Sequence, residues 1–220
     1  MKKILIVSGP TREHIDNIRF ISNISSGKTG SFLAEFYSQK GYEVSQLYGF
    51  GSVYYEKSKL FKFISFQDLQ LRIEEILSQD SFDAVIMCAA VSDYTPDEIL
   101  IEGDSFKIEE LDKIPSGKSF ELKFKKNPKL IKLIKHYSRN KSVKVIGFKL
   151  TSNANEVDAQ NAIVKLFSGD DVDYVIHNDL SGISEKQHVG RIFSSKKLIS
   201  IFESKVAMAN NLLKILEKEL

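Results

Sequence analysis

Residues 4–8 read Ile-Leu-Ile-Val-Ser, and residues 9–30 continue with Gly-Pro-Thr-Arg-Glu-His-Ile-Asp-Asn-Ile-Arg-Phe-Ile-Ser-Asn-Ile-Ser-Ser-Gly-Lys-Thr-Gly. The first part is an apolar run of strand length, as in a parallel sheet covered on both faces. The second part is a long polar connection that leads to a helical pattern over residues 32–40. Open α/β sheets bind anions at the carboxyl ends of their strands, near a helix N-terminus. The stretch therefore predicts an α/β sheet with either a ligand loop or an ordinary long connection after its first strand.

The connection matches neither of the two common phosphate-binding motifs. Gly27-Lys28-Thr29 resembles the end of a P-loop, but that motif needs an earlier glycine where Ser22 stands. A dinucleotide-binding fingerprint places its glycines directly after the strand, where the helix starts. Here Gly9 is followed by Pro10, and the next glycine is Gly27. An anion bound at this loop must be held by a different arrangement.

Length and composition fit one globular domain over residues 1–220. Apolar residues make up 42% of the chain, enough for a sizeable core, and the net charge of +2 argues against a nucleic-acid surface. The single cysteine, Cys88, excludes an internal disulfide, and its apolar surroundings favour an unreactive thiol over a nucleophile. Because residues 1–3 lead straight into a strand and no apolar run reaches membrane-spanning length, we expect a soluble cytoplasmic protein.

Strand and helix patterns alternate along most of the chain. This alternation predicts right-handed βαβ units and an α/β class, Rossmann-like, doubly wound and mostly parallel sheet. The rhythm breaks at residues 94–119, which are polar and lack a helical period, so we predict an irregular, flexible strap. The predicted strands cover residues 4–8, 43–47, 61–65, 84–88, 120–124, 143–148, 174–177, 191–193 and 198–202, the last two forming a hairpin. The predicted helices cover residues 32–40, 69–77, 128–134, 157–167 and 205–220, with Asn127 and Ser204 as N-caps of two of them.

Two stretches carry a resemblance to a known family. Residues 11–28, Thr-Arg-Glu-x-Ile-Asp-x-Ile-Arg-Phe-Ile-Ser-Asn-x-Ser-Ser-Gly-Lys, and residues 89–94, Ala-Ala-Val-Ser-Asp-Tyr, resemble motifs of phosphopantothenoylcysteine synthetase. This enzyme, also called phosphopantothenate–cysteine ligase, is the ligase half of the bacterial coenzyme A flavoproteins. Weaker matches at residues 126–128, 147–148 and 178–179 extend the resemblance over nearly the whole chain. Lys129 stands where the family has an acid, and residues 113–116 read Lys-Ile-Pro-Ser in place of Lys-Ile-Lys-Lys.

The resemblance implies a reaction and its partners. A nucleoside triphosphate, CTP or ATP, would activate the carboxylate of 4'-phosphopantothenate with release of pyrophosphate, and the amine of L-cysteine would then displace the nucleotide. Mg²⁺ would accompany the nucleotide, and no flavin would be bound. The family is a homodimer with straps exchanged between subunits, and a separate flavin-dependent decarboxylase is a further expected partner. The sequence leaves CTP and ATP as open alternatives.

The resemblance also implies two catalytic residues. Asn23 would contact the reacting carboxyl group and hold the acyl-nucleotide intermediate, because an amide N–H can polarise a carbonyl that becomes tetrahedral. Lys113, on the strap, would pair with the triphosphate and stabilise the departing pyrophosphate. Without the resemblance, Asn23 would be assigned a local turn bond and Lys113 an ordinary surface position.

The remaining implied residues bind substrate and nucleotide. Residues 25–28 offer hydroxyls, backbone N–H groups and a cation just before a helix, which suits a phosphate. Asp93 is either an Asx-turn residue, a residue that recognises the nucleotide, or one that helps to hold a magnesium ion. The implied binding positions are Gly9, Thr11, Ser25, Ser26, Gly27, Lys28, Ala89, Ala90, Asp93, Lys126, Asn127, Phe148 and Lys165.

Two other functions remain as alternatives. A short-chain NAD(P)-dependent oxidoreductase needs Tyr-x-x-x-Lys, and the chain has this spacing at residues 55–59 and 137–141. About one such pair is expected by chance in a chain rich in lysine and tyrosine, and the early glycines of that class are missing. The second alternative is a sensor that binds a nucleotide without turnover. The four histidines lack metal-ligand spacing, so we expect them to be structural or to face solvent.

Overall fold

The computed structural model describes residues 1–184, 187–195 and 197–220. The strands in these ranges are β1 (Lys3–Ser8), β2 (Arg12–His14), β3 (Phe20–Ser22), β4 (Glu43–Gly49), β5 (Lys59–Phe63), β6 (Ala84–Met87), β7 (Tyr94–Ile101), β8 (Asp104–Lys107), β9 (Phe120–Lys126), β10 (Lys144–Thr151), β11 (Tyr174–Ile183), β12 (His188–Ser194) and β13 (Lys197–Phe202). The α-helices are α1 (Lys28–Gln39), α2 (Phe66–Gln79), α3 (Ile134–Tyr137), α4 (Glu156–Leu166) and α5 (Lys205–Glu219). Short 3-10 helices cover Ile108–Glu110 and Leu130–Leu133. No helix within the described ranges has the length and apolar character that a membrane crossing requires.

The main sheet has eight strands in the order β13-β12-β11-β10-β6-β1-β4-β5. The strands from β11 to β5 run parallel, and β12 and β13 add an antiparallel hairpin at one edge. β1 lies inside the sheet, where Ile4 pairs with Val44 on one side and with Ala84 on the other. The predicted mostly parallel, Rossmann-like sheet with a C-terminal hairpin and helix is confirmed.

Each face of the sheet carries its own hydrophobic core. Successive side chains of a strand point to opposite faces, so Leu5 of β1 packs with Leu69 in one core, whereas Ile4 packs with Leu33 and Leu212 in the other. Helices α2, α3 and α4 cover the first face, and α1 and α5 cover the second. This distribution confirms the doubly wound arrangement.

Several predicted boundaries are wrong by a few residues, and two of them have a clear local cause. Helix α1 begins at Lys28 rather than at residue 32. Gly27 takes a left-handed conformation (φ 74°) just before it, and the first helical turn, Lys28-Thr29-Gly30-Ser31, contains no large apolar residue that would reveal a helical period. Strand β5 ends at Phe63 rather than at residue 65, because the Ser65 side chain leaves the sheet to accept a hydrogen bond from the Asp68 N–H and cap α2.

The helix predicted to start at Asn127-Pro128 does not form there. The chain makes the 3-10 helix Leu130–Leu133 and only then the short α3. Asn127 is buried, and its side chain donates to the Ser92 carbonyl (3.0 Å) and accepts from the Thr95 hydroxyl (3.0 Å). Its amide group is therefore committed to contacts distant in sequence and does not cap a helix.

The segment predicted to be irregular is largely a small antiparallel sheet. Strands β8, β7 and β9 form it in that order, and residues 111–119 contain no helix or strand among the described residues. The turn between β7 and β8 has positive φ at Glu102 (53°) and Gly103 (98°), as in the type I′ turns of tight hairpins. Ile99 and Ile101 of β7 pack with Ile15 in a third core, which gives this sheet an apolar anchor on the main body.

Candidate functional site

A cleft of about 550 Å³ opens at the carboxyl ends of β6, β10 and β11. Its walls are the loop before α1, the loop after β6, the 3-10 helix Leu130–Leu133 and the ends of β10 and β11. Parallel strands end at the same edge of a sheet, so residues distant in sequence converge there. The predicted binding and catalytic residues that line the cleft are Asn23, Ser25, Ala89, Ala90, Asp93 and Phe148.

Asn23 faces the loop that follows β6. Its side-chain N–H group donates to the carbonyl oxygens of Ala90 (3.4 Å) and Val91 (3.3 Å). These partners are 67 and 68 residues away, so the contact is not the local turn bond that the isolated residue would suggest. Both distances exceed the usual range of about 2.7–3.2 Å, so a ligand oxygen can replace either carbonyl at little cost.

Gly9 and Thr11 lie behind the cleft and fix its wall. The buried Thr11 hydroxyl accepts a hydrogen bond from the Ser92 N–H (3.0 Å), and the Ala90 N–H donates to the Gly9 carbonyl (2.9 Å). Gly9 has φ +85°, and a Cβ at this position would lie 2.3 Å from the Ser52 Oγ. Both predicted binding residues therefore position the loop that carries Ala89 and Ala90.

A second cavity, of about 300 Å³, lies at the N-terminus of α1 and is here called the basic cavity. Its lining includes Ser8, Ser25, Ser26, Gly27, Lys28, Thr29, Gly30, Cys88, His188 and Lys205. The start of α1 packs closely on β1, since a Cβ on Gly30 would lie 2.2 Å from the Ser8 Cβ. The basic cavity and the cleft share Ser25, Thr29, Cys88, Ile183 and His188 as lining residues. One elongated ligand can therefore occupy both spaces.

Asp93 enters the cleft from the loop after β6 and forms an ion pair with Lys129. Both side chains are exposed, so the pair contributes little to stability. The backbone beneath is firmly held, because the Asn127 N–H donates to the Asp93 carbonyl (2.8 Å). Lys129 is thus a cation of the cleft at the position where the resembled family carries an acid.

The far wall of the cleft depends on a half-buried cluster of polar groups around Asp179, at the ends of β10 and β11. Asp179 accepts hydrogen bonds from the Ser181 hydroxyl (2.6 Å) and N–H (3.0 Å), the Thr151 hydroxyl (2.6 Å) and the Ala154 N–H (3.2 Å). These bonds hold the pKa of Asp179 well below its usual range. The carboxylate stays ionised and fixes the strand ends that present Phe148 and Asn178 to the cleft.

Three predicted site lysines do not line either cavity of the described chain. Lys126 is exposed at the end of β9, and Lys165 is exposed on α4. Lys113 lies on the segment that docks on the β2–β3 hairpin. There the Asn17 N–H donates to the Asp112 carbonyl (3.1 Å) and the Ile114 N–H donates to the Asp16 carboxylate (3.0 Å).

Two residues that were not predicted from the sequence, His188 and Lys205, also line the cavities. His188 is only 9% exposed, lines both cavities, and has no hydrogen-bond partner on either ring nitrogen among the described residues. Burial, and then the charge of Lys205, lower the pKa of His188. No spacing signal pointed to these residues, because only the strand order brings them to the start of α1. Burial raises the pKa of the Cys88 thiol to about 12, in agreement with the predicted unreactive cysteine.

Comparison with known proteins gives a match over the whole chain. The family described as DFP, the DNA/pantothenate metabolism flavoprotein C-terminal domain, matches residues 1–220. The coenzyme A biosynthesis bifunctional protein CoaBC of Methanocaldococcus jannaschii is 33% identical over 211 residues, which cover 90% of this chain and 48% of that protein. The chain spans about half the length of the curated relatives it matches.

Solved structures share the fold. The DNA/pantothenate metabolism flavoprotein from Streptococcus pneumoniae superposes with a TM-score of 0.87 at 29% identity, with 100% of both chains covered. A Cab2 variant in complex with phosphopantothenate-cysteine gives a TM-score of 0.76 at 16% identity, and the match covers 99% of this chain and 87% of that one.

Proposed function

Because the chain belongs to the family of DNA/pantothenate metabolism flavoprotein C-terminal domains, we propose that it is a single phosphopantothenate–cysteine ligase domain over residues 1–220. The observation that carries the proposal is the pair of adjoining cavities at the sheet edge, one basic and one lined by Asn23. 4'-Phosphopantothenate has a phosphate at one end and a carboxylate at the other, so it can occupy both spaces. The curated relatives bear the name of a bifunctional coenzyme A biosynthesis protein, which supports the same activity.

The proposed reaction has two steps. A carboxylate oxygen of phosphopantothenate attacks the α-phosphorus of CTP or ATP, an acyl–phosphate bond forms, and pyrophosphate leaves. The cysteine amine then attacks the acyl carbon, an amide bond forms, and the nucleoside monophosphate leaves with the bonding electron pair. A carboxylate does not react with an amine until its oxygen is a good leaving group, and holding the partners together supplies the proximity. We propose that the reaction takes place in the cytoplasm.

Asn23 is proposed to act on the acyl group in both steps. Its N–H group points at two carbonyl oxygens with long hydrogen bonds, which a substrate carboxyl oxygen can take over. A neutral amide donor stabilises the negative charge that develops on a tetrahedral carbonyl oxygen. Because the residue carries no charge, it does not compete with the anionic substrate for the cations of the cleft.

Mg²⁺ would enter with the nucleotide. No group of three His, Cys, Asp or Glu residues suited to a metal ion occurs among the described residues. Mg²⁺ bound to a nucleotide takes most of its ligands from phosphates and water and needs only one or two carboxylates. Asp93 meets this need once Lys129 turns from it to a phosphate, and the metal would offset the charge of two anions brought together.

A homodimer with exchanged straps is part of the proposal. The β2–β3 hairpin and the loop after it expose Ile18 (62%), Phe20 (44%), Ile21 (42%) and Ile24 (106%). A cluster of large apolar side chains on the surface is typical of a protein interface. Lys113 lies next to this hairpin and away from the described cavities of its own chain, so we propose that it acts in the partner's cleft. A flavin-dependent decarboxylase remains a proposed second partner.

The oxidoreductase alternative gains no support from the positions of the Tyr-x-x-x-Lys pairs. The Tyr55 N–H bonds to the Gln46 side chain (2.9 Å), and the Tyr137 hydroxyl accepts from Gln70 (3.3 Å). Neither tyrosine lines the cleft or the basic cavity in the described chain.

Pyrophosphate release tests the proposal directly. The protein is mixed with phosphopantothenate, Mg²⁺ and either CTP or ATP, without cysteine, and pyrophosphate is measured in a single turnover. We expect a stoichiometric burst with one of the nucleotides and phosphopantothenoylcysteine by mass spectrometry once cysteine is added. Nucleotide binding without a burst would identify a sensor instead. A thermal shift with NADPH, but not with CTP or ATP, would favour the oxidoreductase.

A further inference from the structure

Glu13 is a buried carboxylate that the proposed reaction does not use. The residue is 3% exposed and has no ion pair within the described ranges. One carboxylate oxygen accepts a hydrogen bond from the Phe66 N–H at the start of α2 (3.0 Å), and the other lies 3.3 Å from the Thr95 hydroxyl. A buried charge without a counterion destabilises a protein, and the positive end of a helix dipole offsets only part of that cost. We therefore looked for a function in the groups that Glu13 holds in place.

The Thr95 hydroxyl joins Glu13 to Asn127. It lies 3.3 Å from a Glu13 carboxylate oxygen and 3.0 Å from the Asn127 amide oxygen, and it is the only donor to either oxygen in the described part of the chain. Since a hydroxyl carries one proton, it donates to one of these acceptors at a time. Loss of this hydroxyl would therefore break the connection between strand β2 and the base of the segment 94–126.

Asn127 in turn holds the loop that carries Asp93. Its side-chain N–H group donates to the Ser92 carbonyl (3.0 Å), and its backbone N–H donates to the Asp93 carbonyl (2.8 Å). On the other side of the loop, the Ser92 N–H donates to the buried Thr11 hydroxyl (3.0 Å). The backbone of this loop is thus fixed at three points, whereas the Asp93 side chain is exposed and pairs with Lys129. The direction of the Asp93 carboxylate in the cleft therefore depends on the backbone that Asn127 holds.

We propose that Glu13, Thr95 and Asn127 are positioning residues that direct the Asp93 carboxylate towards the nucleotide and its Mg²⁺. This inference rests on the proposed function and deepens it, because it explains how a single exposed carboxylate keeps a defined direction. It also changes the role of Asn127 from a predicted binding residue to one that acts through the backbone of the cleft. Hydrogen-bond partners behind a metal-binding group orient that group, and the loss of one costs about 10- to 100-fold in metal affinity or activity.

Two substitutions at Thr95 test the network with little change of shape. Thr95→Val replaces the hydroxyl by a methyl group, and Thr95→Ser keeps the hydroxyl. In Thr95→Val the rate of the pyrophosphate burst should fall about tenfold and the Mg²⁺ concentration for half-maximal rate should rise about tenfold, whereas the KM for phosphopantothenate should not change. Thr95→Ser should keep all three values within about twofold of the wild type.

Hydrogen exchange gives a measurement that does not depend on ligase activity. The Asn127 N–H, which donates to the Asp93 carbonyl, should exchange about tenfold faster in Thr95→Val than in the wild type or in Thr95→Ser. Glu13→Gln should behave as the wild type, because its amide oxygen can accept from the Phe66 N–H and its NH₂ group can donate to the Thr95 oxygen.

Ser65→Ala is the matched control for a loss of stability. Ser65 caps α2 by accepting from the Asp68 N–H (3.2 Å), next to the point where Glu13 contacts the same helix. Its loss should lower the melting temperature but leave the burst rate, the Mg²⁺ requirement and the exchange of the Asn127 N–H unchanged.

The possible results separate positioning from folding. A lower melting temperature in Thr95→Val with an unchanged Mg²⁺ requirement would make the network structural and overturn the proposal. Wild-type exchange at Asn127 in Thr95→Val, or the same kinetic loss in Ser65→Ala, would also overturn it. Faster exchange at Asn127 in Thr95→Val, in a protein whose wild type shows no ligase turnover, would overturn the proposed function and leave the hydrogen-bonded network in place.

Discussion

The substitution Asp16→Asn should release the segment that carries Lys113. The Asp16 side chain is completely buried and forms an ion pair with the Arg19 side chain. It also accepts hydrogen bonds from the backbone N–H groups of Ile18 (2.9 Å), Arg19 (2.7 Å) and Ile114 (3.0 Å). The side-chain amide that replaces the carboxylate keeps only one acceptor oxygen. Its NH₂ group takes the place of the other oxygen and faces the N–H donors on that side. If the oxygen stays with Ile18 and Arg19, the Ile114 N–H loses its partner and the contact across 98 residues breaks.

The expected cost follows from these contacts. An unsatisfied buried N–H costs about 1–3 kcal/mol, and the lost ion pair with the part-exposed Arg19 adds up to about 1 kcal/mol. We therefore expect the variant to lose roughly 1–4 kcal/mol of unfolding free energy if the segment stays docked. If the segment detaches, the global loss is smaller and the Ile114 amide exchanges much faster with solvent.

Acid dependence gives an independent check on the same group. Burial alone would raise the pKa of Asp16, but hydrogen bonds from Ile114, Ile18 and Arg19 prevail and lower it to about 2. A carboxyl group whose pKa is lower in the folded than in the unfolded state stabilises the fold at pH values above its unfolded pKa, which is near 4 for aspartate. For Asp16 this contribution is about 2 kcal/mol, and it is lost as the pH falls from about 4 through the folded pKa of about 2. The wild type should therefore approach the variant in stability as the pH falls from 4 to 2.

Urea denaturation at pH 7 and at pH 3, with hydrogen exchange at Ile114, measures these effects. Asp104→Asn is the matched control, since Asp104 is exposed on β8 and its side chain has no hydrogen bond or ion pair among the described residues. Equal stability of Asp16→Asn and the wild type, together with unchanged protection of the Ile114 amide, would refute the reasoning.

Three further substitutions test the site. Gly30→Ala places a Cβ 2.2 Å from the Ser8 Cβ, so urea denaturation should show a loss of about 1–3 kcal/mol in the free energy of unfolding. A loss below about 0.5 kcal/mol would contradict this close packing. Asn23→Asp places a carboxylate next to two carbonyl oxygens and the anionic substrate, so the turnover rate of the folded variant should fall about 10²- to 10³-fold. An unchanged rate would remove Asn23 from the mechanism. Lys113→Gln should lower the rate of the pyrophosphate burst about tenfold, whereas Lys118→Gln should leave it unchanged. A normal burst in Lys113→Gln would show that Lys113 is not the strap lysine that acts on the triphosphate.

The framework of the fold was predictable because local and tertiary preferences agree in it. The apolar runs at residues 4–7 and 84–87 are strands buried on both faces, as their composition predicts. Asn127-Pro128 shows the opposite case, because a good capping pair was overruled by contacts to Ser92 and Thr95. The β7–β8 hairpin escaped prediction because Glu102-Gly103 is a weaker turn signal than Asn-Gly or Asp-Gly.

The candidate site was predictable where its residues fall within a recognisable sequence motif. Asn23 and residues 25–28 share one loop, so one motif located them together in the same wall. His188 and Lys205 join that wall through the order of the strands, which no spacing in the sequence encodes. In the proposed homodimer Lys113 acts in the cleft of a second chain, so its role lies beyond what one chain determines.

The hydrogen bond between the Asn127 N–H and the Asp93 carbonyl has an evolutionary consequence. This bond holds the two ends of the segment 94–126 together, so the chain enters and leaves this segment at one place on the domain. Insertions, deletions or wholesale replacement within it need not disturb the order of the main sheet. Divergence among lineages should therefore concentrate in the parts of this segment that do not contact residues 15–17, and chimaeras that exchange residues 94–126 should fold when those contacts are kept.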